Sequence, residues 1–283
     1  MNLSILPDSI QQDVARALAE DLNHQPASSG DITAALIPED KQAIATIITR
    51  EACILCGCAW AEQAFKQVNA DIAVTWLVKD SDHCQPNTVL CEIRGAAKSI
   101  LTAERTALNF LQTLSATATT THAYVKQLEG SGITLLDTRK TIPGLRLAQK
   151  YAVTCGGGKN HRFGLYDAFL IKENHILACG SIANAVNQAR LNAADKKVEV
   201  EVESLEELKQ AIDARADIVM LDNFSEDMLR QAVKINNKQV KLEVSGNINH
   251  AKLAQLRHYG IDFISSGALT KDLDSIDLSL RIN

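Results

Sequence analysis

The sequence predicts an α/β protein in which a mixed N-terminal segment precedes an incomplete (β/α) barrel. From Ile133 onward, short apolar runs alternate with helical stretches, and this rhythm is typical of a parallel sheet covered by helices. Before that point, helical and strand-like stretches follow one another without a simple order. Six apolar runs are visible where a closed barrel has eight strands, so we expect a barrel of about six or seven strands.

The N-terminal segment predicts an α+β layer of about one hundred residues. Residues 10–22 have helical spacing, and residues 42–49 alternate in the manner of a strand. Residues 60–68 predict a further helix, and residues 72–79 and 89–93 predict strands.

A long helix is predicted over residues 99–128. Its apolar stripe consists of Leu101, Leu108, Leu111 and Leu114. Arg105 lies beside this stripe, four residues after Leu101 and three before Leu108. Its guanidinium could extend along apolar surface to water, or it could be directed at a ligand or a neighbouring subunit. The segment alone leaves both interpretations open.

The regular part of the chain predicts six strands, and a polar residue lies at or near the end of nearly every one. The strands are predicted at residues 133–136, 168–171, 198–202, 218–221, 240–244 and 261–264. Helices predicted between them include residues 182–194, 205–214 and 226–235. Residues 277–282 alternate in polarity and predict a final edge strand. The polar residues in question are Asp137, Lys172, Glu201, Asp222, Ser245, Ser265 and Ser266. In barrels the active site lies at the carboxyl ends of the strands, and in open sheets the ligand crevice lies there too.

Cations are concentrated between residues 135 and 173 of a chain that is acidic overall, with 34 Asp and Glu against 29 Lys and Arg. They lie beside Thr138 and three consecutive glycines in segments predicted to be loops, whereas a solvated basic face usually has helical spacing. The cationic side chains singled out as candidates are Arg139, Lys140, Lys159, His161, Arg162 and Lys172. Such a concentration predicts a bound polyanion.

Two carboxylates, Glu201 and Asp222, end successive predicted β/α units and can face one pocket. They could bind Mg²⁺, hydrogen-bond sugar hydroxyls, or act as an acid/base pair. Alternation also places Glu199, Glu201 and Glu203 on one strand face. In a barrel that face is core or site, which favours a functional role for at least one of them.

Two Ser-Gly loops follow the last two predicted barrel strands. They consist of Ser245, Gly246 and Asn247, and of Ser266, Gly267 and Ala268. Glycine allows close approach of the backbone, and amides at a helix N-terminus suit phosphate. The two loops together predict a phosphate site of the kind found in late barrel loops.

Composition argues against several classes of protein. There is no apolar run of about eighteen residues and no basic leader with a long apolar region, so we expect a cytoplasmic protein without a membrane span. A net charge of −5 and an aromatic content of 4% argue against nucleic acid as a partner. Seven Cys, an odd number, fit reduced thiols. Cys53, Cys56 and Cys58 lie where a strand-like run meets a helix, which favours core packing over a zinc site.

Several blocks of the sequence resemble the quinolinate phosphoribosyltransferase family over nearly the whole chain. The longest and most specific are DTRKTIPGLR at residues 137–146 and GGGKNHRFGLYDAFLIKENH at residues 156–175. The others are GDIT (30–33), ERTALNFLQ (104–112), VEVE (198–201), DIVMLDN (217–223), EVSGNI (243–248) and ISSGALT (264–270). No position that carries the family's chemistry departs from its pattern.

The resemblance implies two domains and a reaction. An N-terminal α/β sandwich would span residues 1–115, joined by the tail 271–283, and a barrel-like catalytic domain would span residues 116–270. The reaction would convert quinolinate and phosphoribosyl pyrophosphate to nicotinate mononucleotide, pyrophosphate and CO₂ in NAD synthesis, with Mg²⁺ as cofactor. The protein would be a homodimer with shared active sites.

The resemblance also implies roles for residues at matching positions. The quinolinate carboxylates would be held by Arg139, His161, Arg162 and Lys172, with Arg105 entering from the partner subunit. Lys140 would be catalytic and lie between the two substrates, and Thr138 would join the substrate-binding set. Glu201 and Asp222 would be catalytic, serving the ribose hydroxyls and Mg²⁺. The two Ser-Gly loops would hold the 5′-phosphate.

Three other functions compete with this hypothesis. A molybdenum-transport-associated homologue would keep the phosphoribosyl half with a different acceptor, but the complete set of cations disfavours it. A Schiff-base aldolase would use Lys172 as nucleophile, but it leaves Arg139, His161 and Arg162 without a task. A non-catalytic, ligand-sensing barrel would be expected to lack a motif residue, and none is missing.

Overall fold

The computed structural model describes residues 6–282, which divide into two compact units. The first unit contains the chain up to His122, the segment Ile142–Gly157, and the chain from Asp272. The second contains Ala123–Thr141 and Gly158–Lys271. The resemblance implied a barrel domain over residues 116–270 and a tail from residue 271, whereas the structure places residues 116–122 and 142–157 in the first unit and Lys271 in the second.

The first unit is built around an antiparallel sheet. Its strands are β1 (Gln42–Thr49), β2 (Cys53–Ile54), β3 (Ala73–Trp76), β4 (His83–Cys84), β5 (Val89–Ala96) and, from the end of the chain, β12 (Leu278–Ile282). Its helices are α1 (Leu6–Asp21), α2 (Ala27–Gly30), α3 (Cys58–Val68), α4 (Ala97–Gln127, which continues into the second unit) and α5 (Arg146–Cys155). Four strands form a sheet in the order β12, β1, β5, β3, and the short strands β2 and β4 pair with each other.

Buried and partly exposed residues alternate along β1, so one face of the strand packs into the core of this unit. Ala45, Ile47 and Thr49 are buried, while the residues between them are partly exposed. The predicted tail strand pairs antiparallel with β1, from Thr49 opposite Leu278 to Ala45 opposite Ile282. Trp60 and Phe65 of α3 are fully buried in the same core. Burial of this apolar surface is the main stabilising term.

The second unit is a parallel sheet covered by helices. Its strands are β6 (Thr134–Leu136), β7 (Phe169–Ile171), β8 (Val198–Val202), β9 (Ile218–Asp222), β10 (Lys241–Ser245) and β11 (Phe263–Ser265). Its helices are α6 (Glu173–Cys179), α7 (Ile182–Asn192), α8 (Leu205–Asp213), α9 (Glu226–Asn236), α10 (His250–Leu256) and α11 (Ala268–Lys271). The strand order is β6, β11, β10, β9, β8, β7, and every pairing in it is parallel.

This order explains why the barrel is incomplete. The first strand, β6, pairs with the last, β11, but not with the second, β7, so the barrel is open between its first two strands. All six strands run in the same direction, and their carboxyl ends therefore share one edge. The prediction of an incomplete barrel with six strands is confirmed, with strand ends shifted by at most two residues.

Other local predictions were wrong. Leu101 is 37% exposed, although Leu108, Leu111 and Leu114 are buried, because it shares the outer face of α4 with Arg105 four residues later. Helices α5 and α6 were not predicted, since the cationic block was interpreted as loops throughout. Within residues 6–282, no helix combines the length and the apolar character needed to cross a membrane.

Candidate active site

A cavity of about 190 Å³ lies in the second unit and is lined by residues at or near the carboxyl ends of its strands. The predicted site residues that line it are Thr138, Arg139, Lys140, His161, Arg162, Lys172, Glu201 and Ser245. Leu170, Met220 and Ser265 complete the lining and were not predicted as site residues. The cavity therefore brings together residues separated by more than a hundred positions in the sequence.

Asp137 organises the cationic loop at the end of β6. Its buried carboxylate accepts hydrogen bonds from the Asn160 side-chain amide (2.6 Å) and from the His161 backbone amide (2.9 Å). Lys159 continues this attachment, because its amide donates to Leu135 and its carbonyl accepts from the Asp137 amide. A charged acceptor for several loop donors fixes the loop strongly, and this holds His161 and Arg162 at the cavity.

The guanidinium groups of Arg139 and Arg162 repel each other at this cavity. Arg139 Nε is buried and has no hydrogen-bond partner among the described residues. Burial lowers the pKa of Arg162, and repulsion from Arg139 lowers it further, while Glu199 opposes the effect. Partly buried cations held close together favour binding of an anion, which would satisfy the free donor and relieve the repulsion.

Lys172 and Glu201 form an ion pair in the same cavity, with 2.5 Å between Nζ and Oε2. The Lys172 side chain is 43% exposed and that of Glu201 is 11% exposed. The resemblance implied that Lys172 holds the quinolinate carboxylates and that Glu201 serves the ribose. The structure brings these two side chains into direct contact.

His161 lies above two buried carboxyl groups. Its Nδ1 accepts a hydrogen bond from the Arg162 backbone amide at 2.7 Å. Its Nε2 lies 2.9 Å from Glu199 Oε2 and 3.7 Å from Glu243 Oε2. Burial raises the pKa of Glu243 to about 8, with the neighbouring Glu199 carboxylate as the second cause. From the sequence, a functional role was favoured for at least one of Glu199, Glu201 and Glu203, and no role was predicted for Glu243.

The two Ser-Gly loops lie at the same edge of the sheet. Gly246 has φ of 93°, and a Cβ there would lie 3.4 Å from Asp222 Oδ1. Lys252, which was not predicted, donates from Nζ to the Gly246 carbonyl at 2.7 Å. A Cβ on Gly267 would lie 2.8 Å from Lys140 Cδ, so only glycine lets Lys140 take this position.

Seven predicted site residues are not among those that line the 190 Å³ cavity. Six of them belong to or follow the strands β9, β10 and β11 at the same edge: Asp222, Gly246, Asn247, Ser266, Gly267 and Ala268. The seventh, Arg105, belongs to the first unit, where its exposed side chain lines a cavity of about 310 Å³ with Arg16, Asn109 and Phe110.

The strand-end edge of this open barrel gathers several cations around one cavity, and the shifted pKa values of Arg162 and Glu243 are typical of an enzyme site. Comparison with known families identifies the enzyme class. Residues 31–115 match the model of the quinolinate phosphoribosyl transferase N-terminal domain, and residues 117–281 match the model of the C-terminal domain. The chain belongs to the quinolinate phosphoribosyl transferase family.

Individual relatives agree with this assignment. The chain is 39% identical over 265 residues to a probable nicotinate-nucleotide pyrophosphorylase (carboxylating) of Bacillus subtilis, covering 92% of each chain. It is 41% identical over 264 residues to the corresponding probable enzyme of Methanocaldococcus jannaschii, covering 89% of this chain and 92% of the relative. The solved structure of the nicotinate-nucleotide pyrophosphorylase from Francisella tularensis superposes with a TM-score of 0.93 at 52% identity, covering 98% of this chain and 96% of the other.

Proposed function

We propose that this protein transfers the phosphoribosyl group of phosphoribosyl pyrophosphate to quinolinate and decarboxylates the product, giving nicotinate mononucleotide, pyrophosphate and CO₂ in NAD biosynthesis. The names of the relatives support this proposal. The observation that carries it is the cavity at the carboxyl ends of the strands, where Arg139, Arg162 and Lys172 line one space. Such a cavity is suited to a compact dianion such as a pyridine dicarboxylate.

The cations give a basis for specificity. Quinolinate presents two adjacent carboxylates to Arg139, Arg162 and Lys172, whereas nicotinate presents one and would leave buried donors unpaired. We therefore expect quinolinate to be accepted and nicotinate to be rejected.

The ribosyl half is assigned to the neighbouring strand ends. Departure of pyrophosphate builds positive charge on the ribose ring, and the carboxylates of Glu201 and Asp222 would stabilise it. Lys140 would lie between the two substrates, and its backbone carbonyl accepts a hydrogen bond from Thr270 Oγ1 at 2.8 Å. The Ser-Gly loops would bind the 5′-phosphate.

Mg²⁺ fits the donor set at Asp222 better than at Glu201. The Asp222 carboxylate is partly exposed at the end of β9 and accepts a hydrogen bond from the Asn223 side-chain amide at 2.9 Å. Glu201, by contrast, would have to break its ion pair with Lys172 before it could bind the ion. When bound, the ion would neutralise charge on the leaving pyrophosphate, and a site with few protein carboxylates suits its preference for water and phosphate ligands.

Decarboxylation needs little chemistry from the protein. Once ribosylated, the pyridine nitrogen is cationic, and loss of the carboxylate on the adjacent carbon leaves a carbanion beside that charge. The contribution of Arg139 and Arg162 is then to orient the dicarboxylate in a site that excludes water.

A homodimer with shared sites, working in the cytoplasm, completes the proposal. The exposed position of Arg105 on α4 is compatible with a role in a partner's site, and the seven free thiols are compatible with a reducing compartment.

The Lys172–Glu201 pair argues against the aldolase alternative, because a Schiff-base lysine needs a free amine to attack the substrate and this Nζ contacts a carboxylate. The proposed function is tested by measuring pyrophosphate release from phosphoribosyl pyrophosphate and Mg²⁺ with quinolinate or nicotinate as acceptor. Release with quinolinate alone is expected, and comparable release with nicotinate would contradict the proposal.

A further inference from the structure

The pair of carboxyl groups beneath His161 is costly for the fold. Glu199 on β8 is 3% exposed and Glu243 on β10 is fully buried. Burying two carboxyl groups side by side opposes folding, because both lose water and only one of them can carry its charge without strong repulsion. Replacing them by apolar residues would be expected to favour folding. An arrangement that costs stability beside an active-site cavity indicates a role in the site's geometry.

The tautomer of His161 shows what that role is. Because Nδ1 accepts the Arg162 amide at 2.7 Å, the ring carries its proton on Nε2. Nε2 faces Glu199 at 2.9 Å and Glu243 at 3.7 Å. Both ring nitrogens thus face protein groups, and the ring connects the buried carboxyl pair to the main chain of Arg162.

We infer that Glu199 and Glu243 are positioning residues that fix the orientation and tautomer of His161 and, through it, the main chain that carries the Arg162 guanidinium at the substrate-carboxylate site. This inference rests on the proposed function, because it names how the acceptor half of that site is held in place. It also gives His161 a different role from direct binding of quinolinate.

A metal ion is the competing explanation for the same cluster, since one ligand atom from each of His161, Glu199 and Glu243 could surround an ion. The surrounding charge disfavours it. Arg162 and Arg139 lie close enough to perturb each other, and Glu199 already attracts Arg162. A divalent cation would have to compete with that attraction and would be repelled by the two guanidinium groups.

Two conservative variants separate position from charge. Glu199→Asp keeps the charge and withdraws the carboxylate from His161, whereas Glu199→Gln loses the charge and keeps an oxygen acceptor at the same reach. Glu203→Gln is the matched control, because Glu203 follows the same strand and is exposed. Quinolinate affinity is measured by calorimetry, and the His161 tautomer is measured by NMR of protein labelled with ¹⁵N-histidine, with His161→Asn assigning the signals.

The Nε2–H tautomer is expected in the parent, in Glu199→Gln and in the control. In Glu199→Asp that tautomer is expected to be lost and quinolinate affinity to fall by roughly ten-fold or more, as misplacement of a binding group does. The KM for phosphoribosyl pyrophosphate should change by less than about two-fold, because the proposed function assigns that substrate to Glu201, Asp222 and the Ser-Gly loops.

Three outcomes would overturn the inference. In the first, Glu199→Asp leaves both the quinolinate affinity and the His161 tautomer unchanged. In the second, Glu199→Gln lowers the quinolinate affinity while Glu199→Asp keeps it. In the third, the parent protein binds one metal ion per chain and Glu243→Gln loses it. Failure of the parent itself to bind quinolinate would instead contradict the proposed function, and the tautomer measurement would still decide the positioning role.

Discussion

Replacing Glu243 by Gln should change how the stability of the protein depends on pH. Burial and the Glu199 carboxylate raise the pKa of Glu243 to about 8, from an ordinary value of 4.5. The folded protein therefore keeps a proton that the unfolded chain releases between these two values. Stability must fall as pH rises through this window, by roughly 1.4 kcal/mol per pH unit and by no more than about 5 kcal/mol in all. Glutamine resembles the protonated acid in size and charge and does not titrate, so this loss should disappear in Glu243→Gln.

The assay is urea unfolding of the parent and of Glu243→Gln at pH 5, 6.5 and 8, with Glu203→Gln as control. Circular dichroism is the appropriate signal, because Trp60 and Trp76 both belong to the first unit and would report on the wrong part of the chain. Glu243→Gln should gain stability relative to the parent as pH rises. Unfolding curves that shift in parallel for parent and variant across this range would refute the reasoning.

The remaining predictions concern the site. Gly267→Ala places a Cβ 2.8 Å from Lys140 Cδ, so the flexible lysine side chain should move. The free energy of unfolding in urea should fall by at most about 1–3 kcal/mol. Because Lys140 is displaced, kcat should fall by roughly ten-fold or more. Asp222→Ala should lower kcat while calorimetry shows unchanged quinolinate affinity, and the reverse result would remove it from the ribosyl half. Arg105→Ala and Lys172→Ala should each be nearly inactive, and subunit exchange between them should restore about a quarter of all sites in a twofold dimer. Mixed dimers, proven by mass spectrometry, that remain inactive would place Arg105 in its own subunit's site.

The barrel could be predicted because most of its strands are short apolar runs with a polar residue at or near the end. The runs before Asp137 and Lys172, and the run that ends at Asp222, fall within a residue of the observed strands. In a parallel sheet, this pattern also shows which edge holds the site. The grouping of eight predicted side chains in one cavity follows from the same rule.

Helix α5 could not be predicted in the same way. Its glycine-rich and cationic flanks indicate loops, and only tertiary packing of Ala148 and Ala152 in the core of the first unit shows why the segment is helical. The open side of the barrel was also hidden, because strand order depends on pairing rather than on the strands themselves.

Glu243 was missed because a charged residue inside a largely apolar strand has no distinctive spacing. Glu199 gave a partial signal, since alternation places it on the inner face of its strand. Its contact with His161 depends on the loop that Asp137 anchors, and no local pattern in the sequence contains that contact.

Isotopic labelling of quinolinate tests the central claim most directly. The protein is supplied with phosphoribosyl pyrophosphate, Mg²⁺ and quinolinate that carries ¹³C in the carboxyl group next to the ring nitrogen. If Arg139 and Arg162 orient the dicarboxylate for ribosyl transfer and decarboxylation, all of the label should appear as CO₂, in a one-to-one ratio with unlabelled nicotinate mononucleotide and with pyrophosphate. Label retained in a nucleotide product, or CO₂ released without pyrophosphate, would contradict the account.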